Sequence, residues 1–149
     1  MGNEKLIEGV VVQDLKRILD ERGGVMHMLR ADSPLFERFG EIYFSLVFPK
    51  VVKAWKRHKL MTQHFAVPVG MIKLVIFDGR KDSKSNGLVN VLEIGCDNYK
   101  LVKIPPMLCY GFQCISDEPA LIANCADIPH DPGELENLAV DDQEIPYHW

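Results

Sequence analysis

The chain has 149 residues, 47% of them hydrophobic and 26% charged, which is the composition of a folded globular protein and excludes a mostly disordered one. A length near 150 predicts a single domain, spanning residues 1–149. Seventeen basic residues against twenty-one acidic ones give a net charge of -4, which argues against a general nucleic-acid binder.

At the start, Met1–Val10 (MGNEKLIEGV) lacks the continuous apolar stretch of a secretory signal. Met1-Gly2 is not read as a myristoylation start, because Leu6 stands where Ser or Thr is wanted. No run is long and apolar enough to span a bilayer, so no membrane partner is expected. Cys96, Cys109, Cys114 and Cys125 form no C-x-x-C pair, which disfavours a structural zinc. With no signal, the thiols are expected to be reduced and the protein cytoplasmic.

Asp14–Arg22 (DLKRILDER) places Leu15, Ile18 and Leu19 at helical spacing before Gly23-Gly24, predicting a short N-terminal helix. From Gly40 the pattern turns to strands. Glu41–Phe48 and Lys50–Lys56 are followed by Phe65–Val69 and Met71–Asp78, which flank Gly70 as two strands meeting at a tight turn. Asn86-Gly87 leads into Leu88–Ile94, and Cys96-Asp97-Asn98 precedes Tyr99–Ile104. Met107–Ser116 and Ala120–Cys125 complete about eight short strands, the pattern of an all-β sandwich or barrel. Asp131, Pro132 and Glu134 then stand as N-cap, first helical residue and capping-box acid, predicting a helical turn through Leu138. The tail carries Ile145, Tyr147 and Trp149 and is too apolar to be left in water, so it should pack on the barrel or on a partner subunit.

Chemistry concentrates in Lys53-Ala54-Trp55-Lys56-Arg57-His58-Lys59, with Gln63-His64 beyond it. Alternation along a strand puts Lys56 and His58 on one face with Ala54 beside them. Inward Lys and His suit a wet pocket, whereas an outward run would be an ordinary solvated face.

Gly70–Arg80 (GMIKLVIFDGR), Lys103–Gln113 (KIPPMLCYGFQ), Asn124–Asp127 (NCAD), Ile145–Trp149 (IPYHW) and Asp20–Gly23 (DERG) occur in this order and together resemble the dTDP-4-dehydrorhamnose 3,5-epimerase family. The resemblance implies a cupin-type β-jelly roll and a homodimer whose N-terminal segment reaches the neighbour. It also implies metal-free chemistry: a His base removes the proton beside a sugar's keto group, a Tyr on the opposite face is the acid, and an Asp orients the His. Here the family's Arg-Gly-Leu-His aligns with Lys53–Lys56, so Lys56 occupies the place of that His. Gln63 replaces a family Lys that steadies the sugar, and Ala123–His130 contains no Tyr. The family's orienting Asp comes from a longer C-terminal tail than this one. Arg22 keeps the family's early Arg, and His27 aligns with an acidic position.

The resulting expectation is an epimerase or isomerase acting on a nucleotide-linked 4-keto-6-deoxy sugar. Lys56 or His58 is the candidate base, since a desolvated lysine or an ordinary imidazole suits proton abstraction beside a carbonyl. Tyr43 and Tyr110 are candidate acids, with His130 a further possibility, and Arg22, His27, Lys53 and Gln63 are candidate substrate-binding residues. No cofactor is expected, because of a His-x-His plus His metal set only His58 remains. The competing expectation is a catalytically silent relative that binds a sugar nucleotide.

Overall fold

A computed structural model describes residues 4–149; the start-motif reading at Met1-Gly2 lies outside them. Twelve strands dominate: β1 (Val11–Asp14), β2 (Arg17–Asp20), β3 (Gly23–Met26), β4 (Glu41–Val47), β5 (Val52–His58), β6 (Gln63–Val69), β7 (Met71–Phe77), β8 (Val89–Gly95), β9 (Lys100–Ile104), β10 (Cys109–Cys114), β11 (Ala120–Ala126) and β12 (Leu135–Asn137). One antiparallel sheet runs β1-β9-β6-β11-β4, a second runs β12-β5-β10-β7-β8, and β2-β3 forms a separate hairpin. Val47, Phe65, Val67, Val102 and Ile122 of the first sheet pack in one cluster with Ile72, Leu74, Ile76, Tyr110 and Phe112 of the second. The two sheets therefore face each other across a common core, the jelly-roll architecture that the resemblance implied.

All eight strands expected from turn spacing are present, with ends moved by a few residues. Gly70 turns β6 into β7 at φ 77°, and a Cβ there would come within 2.7 Å of the Ala120 Cα. That close approach and the positive φ explain why the turn needs glycine.

Of the two helical expectations, the N-terminal one is overturned and the C-terminal one is shortened. Asp14–Arg22 is not a helix: its centre is β2, which pairs with β3 through Arg17↔Met26 and Asp20↔Gly23. One turn of helical spacing cannot offset the cost of nucleating a helix. The local turn instead is pinned by Asp20, whose carboxylate accepts from the Arg22 backbone N–H at 2.8 Å and from its guanidinium at 2.7 Å. At the other end Asp131 does cap, accepting from Gly133 N–H at 2.9 Å. The 3₁₀ turn it starts covers only Pro132–Glu134, and the chain then becomes β12 rather than continuing helical to Leu138. The open edge of β5 supplies the ladder that captures it, through Leu135↔His58 and Asn137↔Lys56.

The tail packs back on the protein. Trp55, Val75, Phe77, Cys109 and Ile145 form a second cluster on the outer face of the second sheet, joined by Tyr147 and Trp149. Trp55 is buried, its indole N–H donates to Val140 O at 3.1 Å, and its ring lies 5.2 Å from Trp149. The cysteines are free thiols, three of them buried.

Candidate active site

The two sheets differ along their inner faces. One end is filled by aliphatic side chains, and the other carries Tyr43, Gln63 and Asn124 from β4, β6 and β11 opposite Lys56, His58 and Tyr110 from β5 and β10. A cavity of about 290 Å³ opens here, lined by Glu41, Tyr43, Lys56, His58, His130 and Leu135.

Lys56 and His58 share this face as alternation requires, but Ala54 does not. The β5–β10 register runs Tyr110↔Lys56 and then Gly111↔Ala54, so Trp55 is a bulge residue. The extra residue sends both Ala54 and Trp55 to the outer face, where Ala54 packs with Trp55 and Trp149. Lys56 ends exposed at the mouth, while His58 is 5% exposed at the cavity wall.

His58 is held at both ring nitrogens. Nδ1 lies 2.6 Å from Glu134 Oε1, and Nε2 lies 3.2 Å from the Tyr110 hydroxyl. The second contact is long for an O–H···N bond, and it is the one a ligand can displace. Glu134 is 3% exposed, and its other oxygen accepts from the Lys59 and Leu60 backbone N–H groups at 2.9 and 3.2 Å. Burial pushes against the charged carboxylate, but the hydrogen bonds from His58, Leu60 and Lys59 outweigh it and hold Glu134 below the ordinary glutamate range. An ionised carboxylate at Nδ1 fixes the tautomer in which Nε2 carries the lone pair.

The position beside the candidate base, which the resemblance gives to an Asp of a longer tail, is filled here by Glu134, from the 3₁₀ turn. In sequence it reads as a capping-box glutamate; in the fold its carboxylate goes to β5 instead of returning to the cap.

Across the cavity, the Tyr43 hydroxyl oxygen accepts from Asn124 Nδ2 at 2.8 Å. Burial is the main influence and raises the Tyr43 phenol above its usual value, with Glu41 and Glu134 adding to it against the Asn124 hydrogen bond. Tyr110 is pushed up much further by near-complete burial, and then by Tyr43 and Glu134, against a hydrogen bond from Gln63. Both phenols therefore hold their protons at neutral pH.

The remaining candidates are dispersed. Gln63 is 1% exposed and sits behind the cavity wall, bonded to Asn124. Lys53 is exposed, and its ammonium donates to Leu46 O at 2.9 Å. Arg22 lies at the tip of the β2–β3 hairpin, paired with Asp20 in solvent. His27 lines a separate hollow of about 510 Å³ with Lys16, Arg30 and Ser33. A third hollow of about 560 Å³, near Glu8 and Met107, has its Arg80 already committed to Asp78. His64, beside the site in sequence, is 1% exposed with its ring nitrogens against the Cys125 and Leu35 carbonyls, a buried structural histidine turned away from the cavity. Among the described residues no three His, Cys, Asp or Glu side chains converge as metal ligands, and no helix is long and apolar enough to cross a membrane.

Two facing antiparallel sheets with a histidine–carboxylate couple opposite a tyrosine at the open end define a cupin-type sandwich equipped for acid–base chemistry on a small molecule. A family model for dTDP-4-dehydrorhamnose 3,5-epimerase matches residues 4–149, and the chain belongs to that family. It is 53% identical to a dTDP sugar isomerase from Desulfovibrio desulfuricans G20, whose crystal structure superposes with a TM-score of 0.94 over 96% of this chain and 92% of that one. It is 37% identical to the "probable low-salt glycan biosynthesis epimerase Agl13" of Haloferax volcanii, over 95% of this chain and 88% of the relative. It is also 30% identical to the spore coat polysaccharide biosynthesis protein SpsL of Bacillus subtilis, over 97% of both.

Proposed function

We propose that the protein is a metal-free epimerase or isomerase of a nucleotide-linked 4-keto-6-deoxy sugar, working in polysaccharide or deoxysugar biosynthesis. The observation that carries this reading is His58, locked by Glu134 on one sheet, facing Tyr43 on the other across a sugar-sized cavity. Family membership supports the substrate class.

In the reaction, the sugar displaces the Tyr110 hydroxyl from His58 Nε2, which removes the proton from a carbon next to the ketone. The C–H electron pair moves into a new C=C bond, and the carbonyl π pair moves to oxygen as an enolate. The exposed ammonium of Lys56 at the mouth stabilises that oxyanion or the diphosphate as a positive charge. Tyr43 then gives its proton to the same carbon from the opposite face, so the configuration inverts. Bulk water restores the His58 and Tyr43 protonation states.

The chain acts as one domain in the cytoplasm and as a homodimer. The β2–β3 hairpin leaves Ile18, Leu19 and Val25 57–59% exposed, and the outer edge of β4 leaves Ile42, Phe44 and Leu46 51–61% exposed. Burying these rows against a second copy removes apolar surface from water, and would carry Arg22 to the neighbour's diphosphate.

The test is incubation with a dTDP-4-keto-6-deoxyhexose in deuterated water. Deuterium appearing at a carbon flanking the ketone, with formation of the epimer, is the expected result. Tight binding without any exchange would instead identify a silent sugar-nucleotide-binding protein.

A further inference from the structure

Resting on that reading, we propose that Tyr110 is a further catalytic residue of the site: its hydroxyl turns its proton from His58 Nε2 to the sugar's carbonyl oxygen and holds the oxyanion that forms there. The starting point is the sugar-free arrangement. Glu134, 2.6 Å from Nδ1, keeps the His58 proton on that nitrogen, so Nε2 is an acceptor. The Tyr110 hydroxyl, 3.2 Å from Nε2, is therefore the donor of that contact.

The Tyr110 ring is held on all sides. It stands on β10, which pairs with β5 through Lys56 and with β7 through Ile76, and the residue is 4% exposed. Its ring is stacked with the His58 imidazole at 6.0 Å, with 10° between the planes, and it meets Phe65 edge-on at 5.6 Å. What remains free is the O–H bond, which rotates about the C–O axis. A sugar that reaches Nε2 thus breaks the hydrogen bond and leaves the phenol oxygen where it is.

Proton abstraction then makes the turn obligatory. Once Nε2 has taken the sugar's proton, both ring nitrogens of His58 are donors, and a Tyr110 proton still aimed at Nε2 would set donor against donor. With that proton turned away, the phenol oxygen accepts from Nε2–H and its own O–H faces the substrate. The carbon that loses its proton stands about 3–3.5 Å from Nε2. The carbonyl oxygen is two bonds further on, about 2.4 Å from that carbon. A hydroxyl 3.2 Å from Nε2 lies within hydrogen-bond reach of such a position.

The electron balance is that of the enolate step: the C–H pair forms the C=C bond, the carbonyl π pair goes to oxygen, and the proton goes to Nε2. Tyr110 keeps its proton throughout. Burial raises its phenol pKa well above the usual tyrosine value, which suits a group that donates a hydrogen bond without ionising. The bond strengthens as charge develops on the oxygen, so it favours the transition state over the bound sugar. Lys56, exposed at the mouth, is left to the diphosphate.

Tyr110→Phe removes the hydroxyl and keeps the ring against His58 and Phe65. In full-length protein with a dTDP-4-keto-6-deoxyhexose in deuterated water, exchange and inversion should both fall about 100-fold, with KM within about threefold of wild type. Affinity for a dTDP-6-deoxyhexose carrying a hydroxyl in place of the ketone should change by less than about threefold. Exchange at the wild-type rate or faster would make Tyr110 a packing residue or a mask on the base, and would overturn the proposal. So would a loss confined to KM. Should Tyr110→Phe not fold, Tyr110→3-fluorotyrosine decides, because its more acidic hydroxyl is a stronger donor. Donation to the oxyanion then predicts faster exchange, and exchange that does not rise would overturn the proposal. A wild-type protein that neither exchanges nor inverts the sugar would defeat the functional reading itself, whereas an active wild type matched by Tyr110→Phe would defeat only the role of Tyr110.

Discussion

Replacing Glu134 with Gln is the sharpest perturbation of the site, because it keeps the shape of the side chain and removes its charge. The carboxylate now accepts from His58 at 2.6 Å, from Lys59 N–H at 2.9 Å and from Leu60 N–H at 3.2 Å, with 3% of the residue exposed. A glutamine has one acceptor oxygen, so its amide N–H must face either the His58 Nδ1–H or the backbone pair. Losing a buried charge-assisted hydrogen bond costs about 1.5–3 kcal/mol. At about 2–4 °C per kcal/mol for a chain of this size, the melting temperature should fall by roughly 3–12 °C. If the amide N–H faces His58, the imidazole moves its proton to Nε2 and the lone pair needed for abstraction is gone. General-base catalysis contributes about 10²- to 10⁴-fold, so kcat should fall by about that factor with KM nearly constant.

The pH dependence carries a definite sign. Glu134 has a lowered pKa in the folded protein, so its contribution is complete above its unfolded value of 4.5 and is lost as pH falls through the folded value. The melting gap between wild type and Glu134→Gln should therefore narrow below about pH 4.5. Steady-state kinetics and differential scanning calorimetry across pH 3–8 measure both effects. A Glu134→Gln protein with both wild-type kcat and an unchanged melting temperature would refute the assignment of Glu134 as the orienting acid.

Other outcomes follow from the packing. A Cβ at Gly111 would stand 2.6 Å from the Ala54 Cβ and 3.0 Å from the Trp149 ring, so Gly111→Ala should destabilise by about 1–3 kcal/mol in urea titration. Because it strains the bulge that aims Lys56 and His58, activity should drop as well; unchanged stability and activity would contradict the account of the bulge. Phe44, 61% exposed on β4, belongs to the proposed dimer face, so Phe44→Glu should yield a monomer by light scattering. Asp78 is fully buried; burial opposes its charge, but hydrogen bonds from Arg80, Ser83 and Ser85 hold its carboxyl well below 3.8. Asp78→Asn should lower stability by about 1.5–3 kcal/mol at neutral pH, read from chemical denaturation.

The strands were legible because each is bounded by turn chemistry that acts locally: Gly70 between β6 and β7, Asn86-Gly87 before β8, Pro119 before β11. The N-terminal hairpin was not, since Leu15, Ile18 and Leu19 satisfy helical spacing and the competing turn depends on an Asp20–Arg22 pairing that spacing does not encode. In the site, strand alternation was enough to bring Lys56 and His58 together. It misplaced Ala54, because a bulge reverses the alternation and is recorded only in the pairing with β10. Glu134 escaped for a different reason. Its local pattern has a complete explanation as a helix cap, and its true partner lies 76 positions away. Asn124 likewise has no local signal, since its role comes from three strands meeting on one face.

The central claim is that His58, and not Lys56, takes the proton from the sugar. It is tested most directly by solvent deuterium exchange into a dTDP-4-keto-6-deoxyhexose, comparing His58→Gln with Lys56→Met. The account predicts that His58→Gln loses exchange by about 100-fold or more, whereas Lys56→Met still exchanges and mainly raises KM. Exchange at the wild-type rate in His58→Gln, or its abolition by Lys56→Met alone, would contradict it.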